Sequence, residues 1–162
     1  IVYIANVGEE KSSETRYLDR IRTHAAEEQA ELVIISARIE EEIACLIPAD
    51  RAAFLKEMGL ERSGLDRLIE SGYRLLGLHT FFSTSPNEVR AWTIPLGTRA
   101  PQAGGKIHTD FERGFIRVET ISCDDFLHFR GEQGAKDAGR LRLEGRDYVV
   151  QDGDIMKFRF NV

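Results

Sequence analysis

Arg90-Ala91-Trp92-Thr93-Ile94, then Gly97-Thr98, then Ala100-Pro101-Gln102-Ala103-Gly104-Gly105, then Ile107-His108-Thr109-Asp110-Phe111-Glu112 occupy most of residues 90–115. The first five residues form a strand-like run, and Ile107 and Phe111 sit four apart as core residues around a helix end. Upstream, Thr80-Phe81-Phe82 and the run 89–94 are separated by Ser85-Pro86-Asn87, a turn-forming triplet that predicts a hairpin. Downstream, 114–121 predicts another strand and 124–129 a short helix, and 140–143 alternates charged with apolar residues. Asp152-Gly153 marks a turn. Beyond it Met156, Phe158, Phe160 and Val162 point one way, and Ile155, Lys157, Arg159 and Asn161 the other, which predicts a half-buried last strand.

Before Gly77 the texture differs. Ile1-Val2-Tyr3-Ile4-Ala5 is a short apolar run bounded by Asn6 and Gly8, and Leu32-Val33-Ile34-Ile35 is a second; both predict buried strands. Between them Tyr17, Leu18, Ile21, His24 and Ala25 recur at helical spacing after a weak start at Ser13, so a helix to about Gln29 is expected. Strand, helix and continuous apolar strand make up an α/β unit with parallel pairing. Three helical pieces follow: Ile43, Leu46 and Ile47 stop at Pro48; Phe54, Leu55 and Met58 stop at Gly59; Leu65, Leu68, Ile69, Tyr73, Leu75 and Leu76 follow a cap-like Ser63 and Asp66. The expected fold is α/β over residues 1–76 and α+β over residues 77–162, with no linker, repeat or low-complexity segment between them.

The 162 residues carry a net charge of −5. Residues 1–79 hold 15 acidic and 10 basic side chains and residues 80–162 hold 12 of each, so nothing in the bulk charge is basic enough to mark a nucleic-acid binder. Cys45 and Cys123 lie far apart without metal-ligand spacing and fit reduced thiols of a cytoplasmic protein. No apolar run approaches the ~20 residues of a membrane-spanning helix. The chain opens inside an apolar run without an initiator Met, and is expected to be a fragment, or the ordered portion, of something longer.

Asn6-Val7-Gly8-Glu9 directly follows the first strand, and Ser36-Ala37-Arg38 follows the second. Either alone is an ordinary turn. Two such loops at the carboxyl ends of consecutive parallel strands lie where α/β sheets bind ligands. P-loop GTPases carry Asn-Lys-x-Asp at the first position, its Asp accepting from two guanine nitrogens, and a Ser-Ala-Lys-like loop at the second, its backbone N–H facing the purine. Here Val7 replaces the Lys and Glu9 the Asp, and a longer carboxylate removes the guanine clamp.

The pair resembles the Obg-like ATPases, the YchF family, which carry Asn-x-x-Glu and favour ATP over GTP. The resemblance implies that Asn6 and Val7 lie against the base, that Glu9 helps to exclude guanine, and that Ser36 and Ala37 close the other side. Residues 77–162 resemble the TGS domain, a ubiquitin-like β-grasp module found also in threonyl-tRNA synthetase and stringent-response enzymes. The match begins in the 90–115 stretch and includes Gly131-Glu132-Gln133-Gly134-Ala135-Lys136, Tyr148-Val149-Val150-Gln151-Asp152-Gly153-Asp154 and Phe158-Arg159-Phe160-Asn161-Val162. The resemblance makes residues 1–76 the C-terminal remnant of a P-loop nucleotide-binding domain and implies a cytoplasmic, ribosome-associated enzyme that hydrolyses ATP, and GTP more weakly, with Mg2+. No Gly-x-x-x-x-Gly-Lys-Ser/Thr occurs in the chain. The family places its phosphate and Mg2+ sites ahead of Ile1, so no catalytic residue is expected here and the chain alone is expected to be inactive. A stand-alone TGS-type RNA- or ribosome-binding module and a GTP-specific GTPase remain as alternatives.

Three smaller readings complete the sequence. Arg117, Arg140, Arg142, Lys157 and Arg159 are expected to gather on the open sheet face as a patch for ribosomal RNA phosphates, against an ordinary surface balanced by Glu119 and Glu144. His108 and Asp110 lack a third neighbour for metal and fit helix-end residues bonded to local backbone, with a metallohydrolase as the weaker alternative. His24, His79 and His128 are scattered. Trp92 is either a base-stacking platform or, as is more usual, a half-buried strand residue.

Overall fold

The two β-branched runs of the first half form β1 (Val2–Asn6) and β2 (Glu31–Ile35), paired in parallel from Val2↔Glu31 to Asn6↔Ile35. The parallel pairing requires a crossover, supplied by α1 (Thr15–Glu27), which packs on both strands with Ala25 buried. These descriptions come from a computed structural model that describes residues 1–8, 15–85 and 88–161. The expected helix start at Ser13, the turn residues Pro86 and Asn87, and Val162 lie outside those residues. The chain divides into two compact units, Ile1–Leu76 and Gly77–Val162, each a mixture of helix and strand.

In the first unit, α2 (Ala37–Cys45), α3 (Pro48–Glu57) and α4 (Gly64–Leu76) follow β2. Pro48 sits at the first turn of α3, where its missing N–H costs nothing, and Gly59, at φ 67°, takes the left-handed turn beyond the helix end. Ser63 Oγ accepts from Asp66 N at 3.0 Å and caps α4. The apolar periodicity located α4 but not its inward side. Leu65, Ile69, Leu75 and Leu76 are at least half exposed, whereas Gly64 and Ser71, two turns apart, are the buried positions of a helix that packs on β2 and β1. Small residues there let the helix backbone approach the sheet closely. The two strands are also less enclosed than expected: Ile4 is 52% exposed, and among the described residues β1 pairs only with β2.

The second unit begins with the hairpin β3 (Leu78–Ser85) and β4 (Glu88–Pro95), then α5 (Ala100–Ile107), α6 (Thr109–Arg113) and β5 (Phe115–Ser122). Next come α7 (Cys123–His128), α8 (Glu132–Asp137), β6 (Arg142–Glu144) and β7 (Asp154–Phe160). The five strands run in the order β4-β3-β7-β5-β6, with β3 and β7 parallel and the other neighbours antiparallel. One face carries the main core: Phe81, Ile94, Val118, Met156 and Phe158 meet Ala100 and Ala103 of α5. At Gly104 an added Cβ would lie 3.1 Å from the Phe158 ring and 3.2 Å from Phe111 Cβ, so glycine is what lets α5 sit this close. The alternation read in the last strand holds at Met156 and Phe158, which are buried. The opposite face is not bare, however: Ile121 is buried beside Phe126, Leu141 and Ile155 under α7 and the segment that follows it.

Candidate functional site

At the carboxyl ends of β1 and β2 the two sequence-identified loops lie side by side. Val7 N donates to Ile35 O at 2.8 Å, continuing the ladder by one rung. Ala37 N donates to Asn6 Oδ1 at 3.0 Å, so the Asn6 side chain stitches one loop to the other. The Ala37 N–H expected to face the base is thus committed to Asn6. Ser36 precedes α2 at the cap position without capping it, and its Oγ is buried with no hydrogen-bond partner among the described residues. A cavity of about 460 Å³ opens here, lined by Val7, Gly8, Ser36, Ile39, Leu60 and Arg67 among others. That volume falls within the ~300–1,000 Å³ of small-molecule pockets. Glu9 lies outside the described residues.

The far wall was not legible in the sequence. Glu40, one turn into α2, accepts from Gly64 N at 2.6 Å and from Leu65 N at 3.1 Å, so one carboxylate takes two orphan N–H groups of α4. Arg67 of α4 donates to Ile34 O at 2.8 Å. Glu40 and Arg67 both line the cavity. Their partners are 24 and 33 residues away, and only Ser63-Gly64, a helix start, hinted that a capping group was needed.

The basic residues do not form the single patch expected of them. Register places Arg142 opposite Thr120, which pairs with Met156 on the core face, whereas Lys157 and Arg159 pair with Glu119 and Arg117 on the other. Arg140 precedes β6, with its Nε 3.9 Å from Asp125. Lys157 reaches Glu132 at 3.4 Å and Arg159 reaches Glu119 at 3.1 Å, so carboxylates offset both charges. Arg142 belongs to a different structure altogether. It donates to Asp154 Oδ1 at 3.2 Å and Tyr148 Oη at 3.1 Å, and the Tyr148 hydroxyl donates to Asp154 Oδ2 at 2.6 Å.

Burial first, and then the bond to Asp154, push the Tyr148 hydroxyl up to about 12 from an ordinary 10.0. The raised value belongs to the folded state, so its stabilisation is complete below pH 10 and is lost as pH climbs through 12. Thermal melts across that window should show a steeper alkaline decline for the parent than for Tyr148→Phe, which has no hydroxyl to ionise.

His108 Nδ1 accepts from Asp110 N at 3.2 Å, a cap at the start of α6, as the helix-end reading expected. Among the described residues no group of three or more His, Cys, Asp or Glu is placed to hold a metal. Trp92 donates from Nε1 to Ser83 Oγ at 2.9 Å, packs against the main core, and carries the Arg90 guanidinium 5.3 Å above its ring.

A family model described as YchF-GTPase_C, protein of unknown function (DUF933), matches residues 78–161. The chain is 55% identical over 161 residues to the Ribosome-binding ATPase YchF of Escherichia coli O157:H7, covering 99% of this chain and 44% of that protein. To the Bacillus subtilis (strain 168) protein of the same name it is 50% identical over 165 residues, covering 100% and 45%. Among solved structures it is similar to the Schizosaccharomyces pombe YchF GTPase, with a TM-score of 0.80 at 31% identity over 98% of this chain and 43% of that one. A GTP binding protein from Pyrococcus horikoshii OT3 shares the fold at TM-score 0.63 and 17% identity, over 98% and 45% of the two chains. The chain therefore spans a little under half the length of the curated relatives it matches. With the paired strand-end loops and a matched second unit in one chain, the sequence belongs to the YchF family.

Proposed function

We propose that the protein carrying this chain is a cytoplasmic, ribosome-associated ATPase that binds ATP, and GTP more weakly. Within it, Asn6, Val7, Glu9, Ser36 and Ala37 read the base, and residues 77–162 act as a TGS module of the β-grasp type. The strand order of the second unit supports the β-grasp assignment: a hairpin, a helix across the sheet, and first and last strands paired in parallel at its centre. One bond carries the base-site reading, Ala37 N to Asn6 Oδ1, because it ties together two loops whose Val7, Gly8 and Ser36 line one cavity, and fixes the Asn6 amide at its edge. With Oδ1 committed to Ala37 and no partner for Nδ2 among the described residues, the Asn6 amide offers donors that suit the N7 acceptor common to adenine and guanine. Asn6 therefore recognises a purine, and the choice between purines falls to Val7 and Glu9. Ser36 Oγ, buried with no partner among the described residues, adds a hydroxyl beside the same cavity.

Mg2+, when bound, neutralises phosphate charge during transfer, and its ligands and the phosphate cradle are assigned to other parts of the protein. Residues 1–162 alone do not hydrolyse nucleotide in this reading. Ribosome contact is assigned to residues 77–162, with Arg117 as the candidate phosphate contact beside Arg159, its neighbour across β5 and β7, whose charge Glu119 already offsets. Competition of ATP and GTP against a fluorescent ATP on the full-length protein tests the base site. ATP is expected to displace the label at the lower concentration, and Asn6→Ala to weaken both nucleotides about tenfold, the worth of one well-placed hydrogen bond. A clear preference for GTP would overturn the reading.

A further inference from the structure

We infer that Glu40 and Gly64 are positioning residues for the base site, acting through the Ser36–Ala37 loop without touching the nucleotide. The inference rests on the base-site reading above. Glu40 lies one helical turn beyond Ser36, and Glu40 N donates to Ser36 O at 3.0 Å, so the two residues move as one piece of α2. Each Glu40 oxygen accepts one α4 N–H, from Gly64 at 2.6 Å and Leu65 at 3.1 Å, so the carboxylate that lines the cavity is held in place by the start of α4. Gly64 does not line the cavity, yet a Cβ on it would lie 2.7 Å from Ile35 Cγ2 and 2.8 Å from Glu40 Oε1. Ile35 is the last residue of β2, directly before Ser36, and its carbonyl receives Val7 N.

A chain of contacts therefore runs from the first turn of α4 to both loops. The α4 N–H groups hold Glu40, Gly64 backs Ile35, and Arg67 fixes the Ile34 carbonyl. Between these anchors sit Ser36 and Ala37, and Ala37 N in turn orients the Asn6 amide. Hydrogen bonds to a charged acceptor are the stronger kind, and pre-set polar groups bind without paying to be ordered. Loss of the clamp lets the Ser36–Ala37 loop and the Asn6 amide drift, and the effect falls on base contacts alone, because phosphate binding is assigned elsewhere in the protein.

The test uses the full-length protein and two competitors against fluorescent ATP: ATP, and inorganic tripolyphosphate, which has the phosphates without the base. Glu40→Ala and Gly64→Ala should each raise the ATP dissociation constant about tenfold and leave tripolyphosphate unchanged. Glu40→Gln, which keeps one carbonyl acceptor for the α4 N–H groups, should recover part of the loss and sit at about threefold. Melting temperatures recorded alongside separate this from unfolding: a variant that melts earlier but binds ATP as the parent does overturns the inference. So does an equal loss for ATP and tripolyphosphate, which would mark a general weakening. A parent protein that binds ATP no tighter than tripolyphosphate has no base site, an outcome that overturns the function reading itself and is recognised before any variant is made.

Discussion

Phe81→Ala is expected to remove about 3–5 kcal/mol from the unfolding free energy of the second unit. Phe81 lies on β3 with 0% of its surface exposed, and its ring meets that of Phe158 on β7 edge to face at 6.0 Å. Truncation removes a fully buried ring and leaves a void on the core face of the sheet, beside Phe158, that the backbone cannot easily close. Set against the ~5–15 kcal/mol that holds a typical domain together, the loss is a large share of the total. Trp92 is the sole tryptophan and packs against the same core, so its fluorescence during urea denaturation reports this unit. The expected trace has an earlier midpoint at unchanged slope; a midpoint shift worth under 1 kcal/mol would mean that the core repacks around the missing ring.

Asp154→Ala comes second, at about 2–4 kcal/mol, the range of a buried charged acceptor removed from neutral and charged donors together. Asp154 is 2% exposed and accepts from the Tyr148 hydroxyl at 2.6 Å, Gln151 N at 2.9 Å and Arg142 at 3.2 Å. Alanine removes the acceptor of the Tyr148 hydroxyl and the Gln151 N–H at a part-buried site, whereas Arg142, nearly half exposed, finds water and limits the damage. Asp154→Asn, which keeps acceptor capacity without the charge, should cost less than half as much in the same denaturation experiment. Equal costs for the two variants would show that the charge, and not the number of acceptors, is what matters at this position.

Local pattern foretold much of this fold. Apolar β-branched runs at 1–5 and 32–35, separated by a helical period, sufficed for β1, α1 and β2. The alternation through Met156 and Phe158 gave β7 its buried face. Long-range pairing was out of reach, because which face a residue shares with another strand depends on register. Arg142 and Arg159 look alike in the sequence, yet Arg142 pairs with Thr120 and Arg159 with Arg117, on opposite sides of the sheet. The burial of Gly64 and Ser71 in place of Leu65 and Ile69 is a second case, since small residues give no hydrophobic signal to a periodicity. At the candidate site, Asn6 and Ala37 were visible because both follow strands directly. Glu40 was hidden because its partners are backbone N–H groups of a helix that starts 24 residues later.

β7 is among the last elements of the unit in sequence but lies at the centre of its sheet, between β3 and β5. During synthesis, the hairpin of β3 and β4 and the α5 region emerge well before the strand that must enter between them. The unit therefore cannot fold progressively from its amino end. Until Asp154–Phe160 have left the exit tunnel, β3 and β5 lack their common neighbour and expose edges and apolar side chains to whatever lies near the ribosome surface. Nascent chains stalled with only the residues ahead of Asp154 outside the tunnel should be held as protease-sensitive, chaperone-bound species, and emergence of Asp154–Phe160 should convert them in one step.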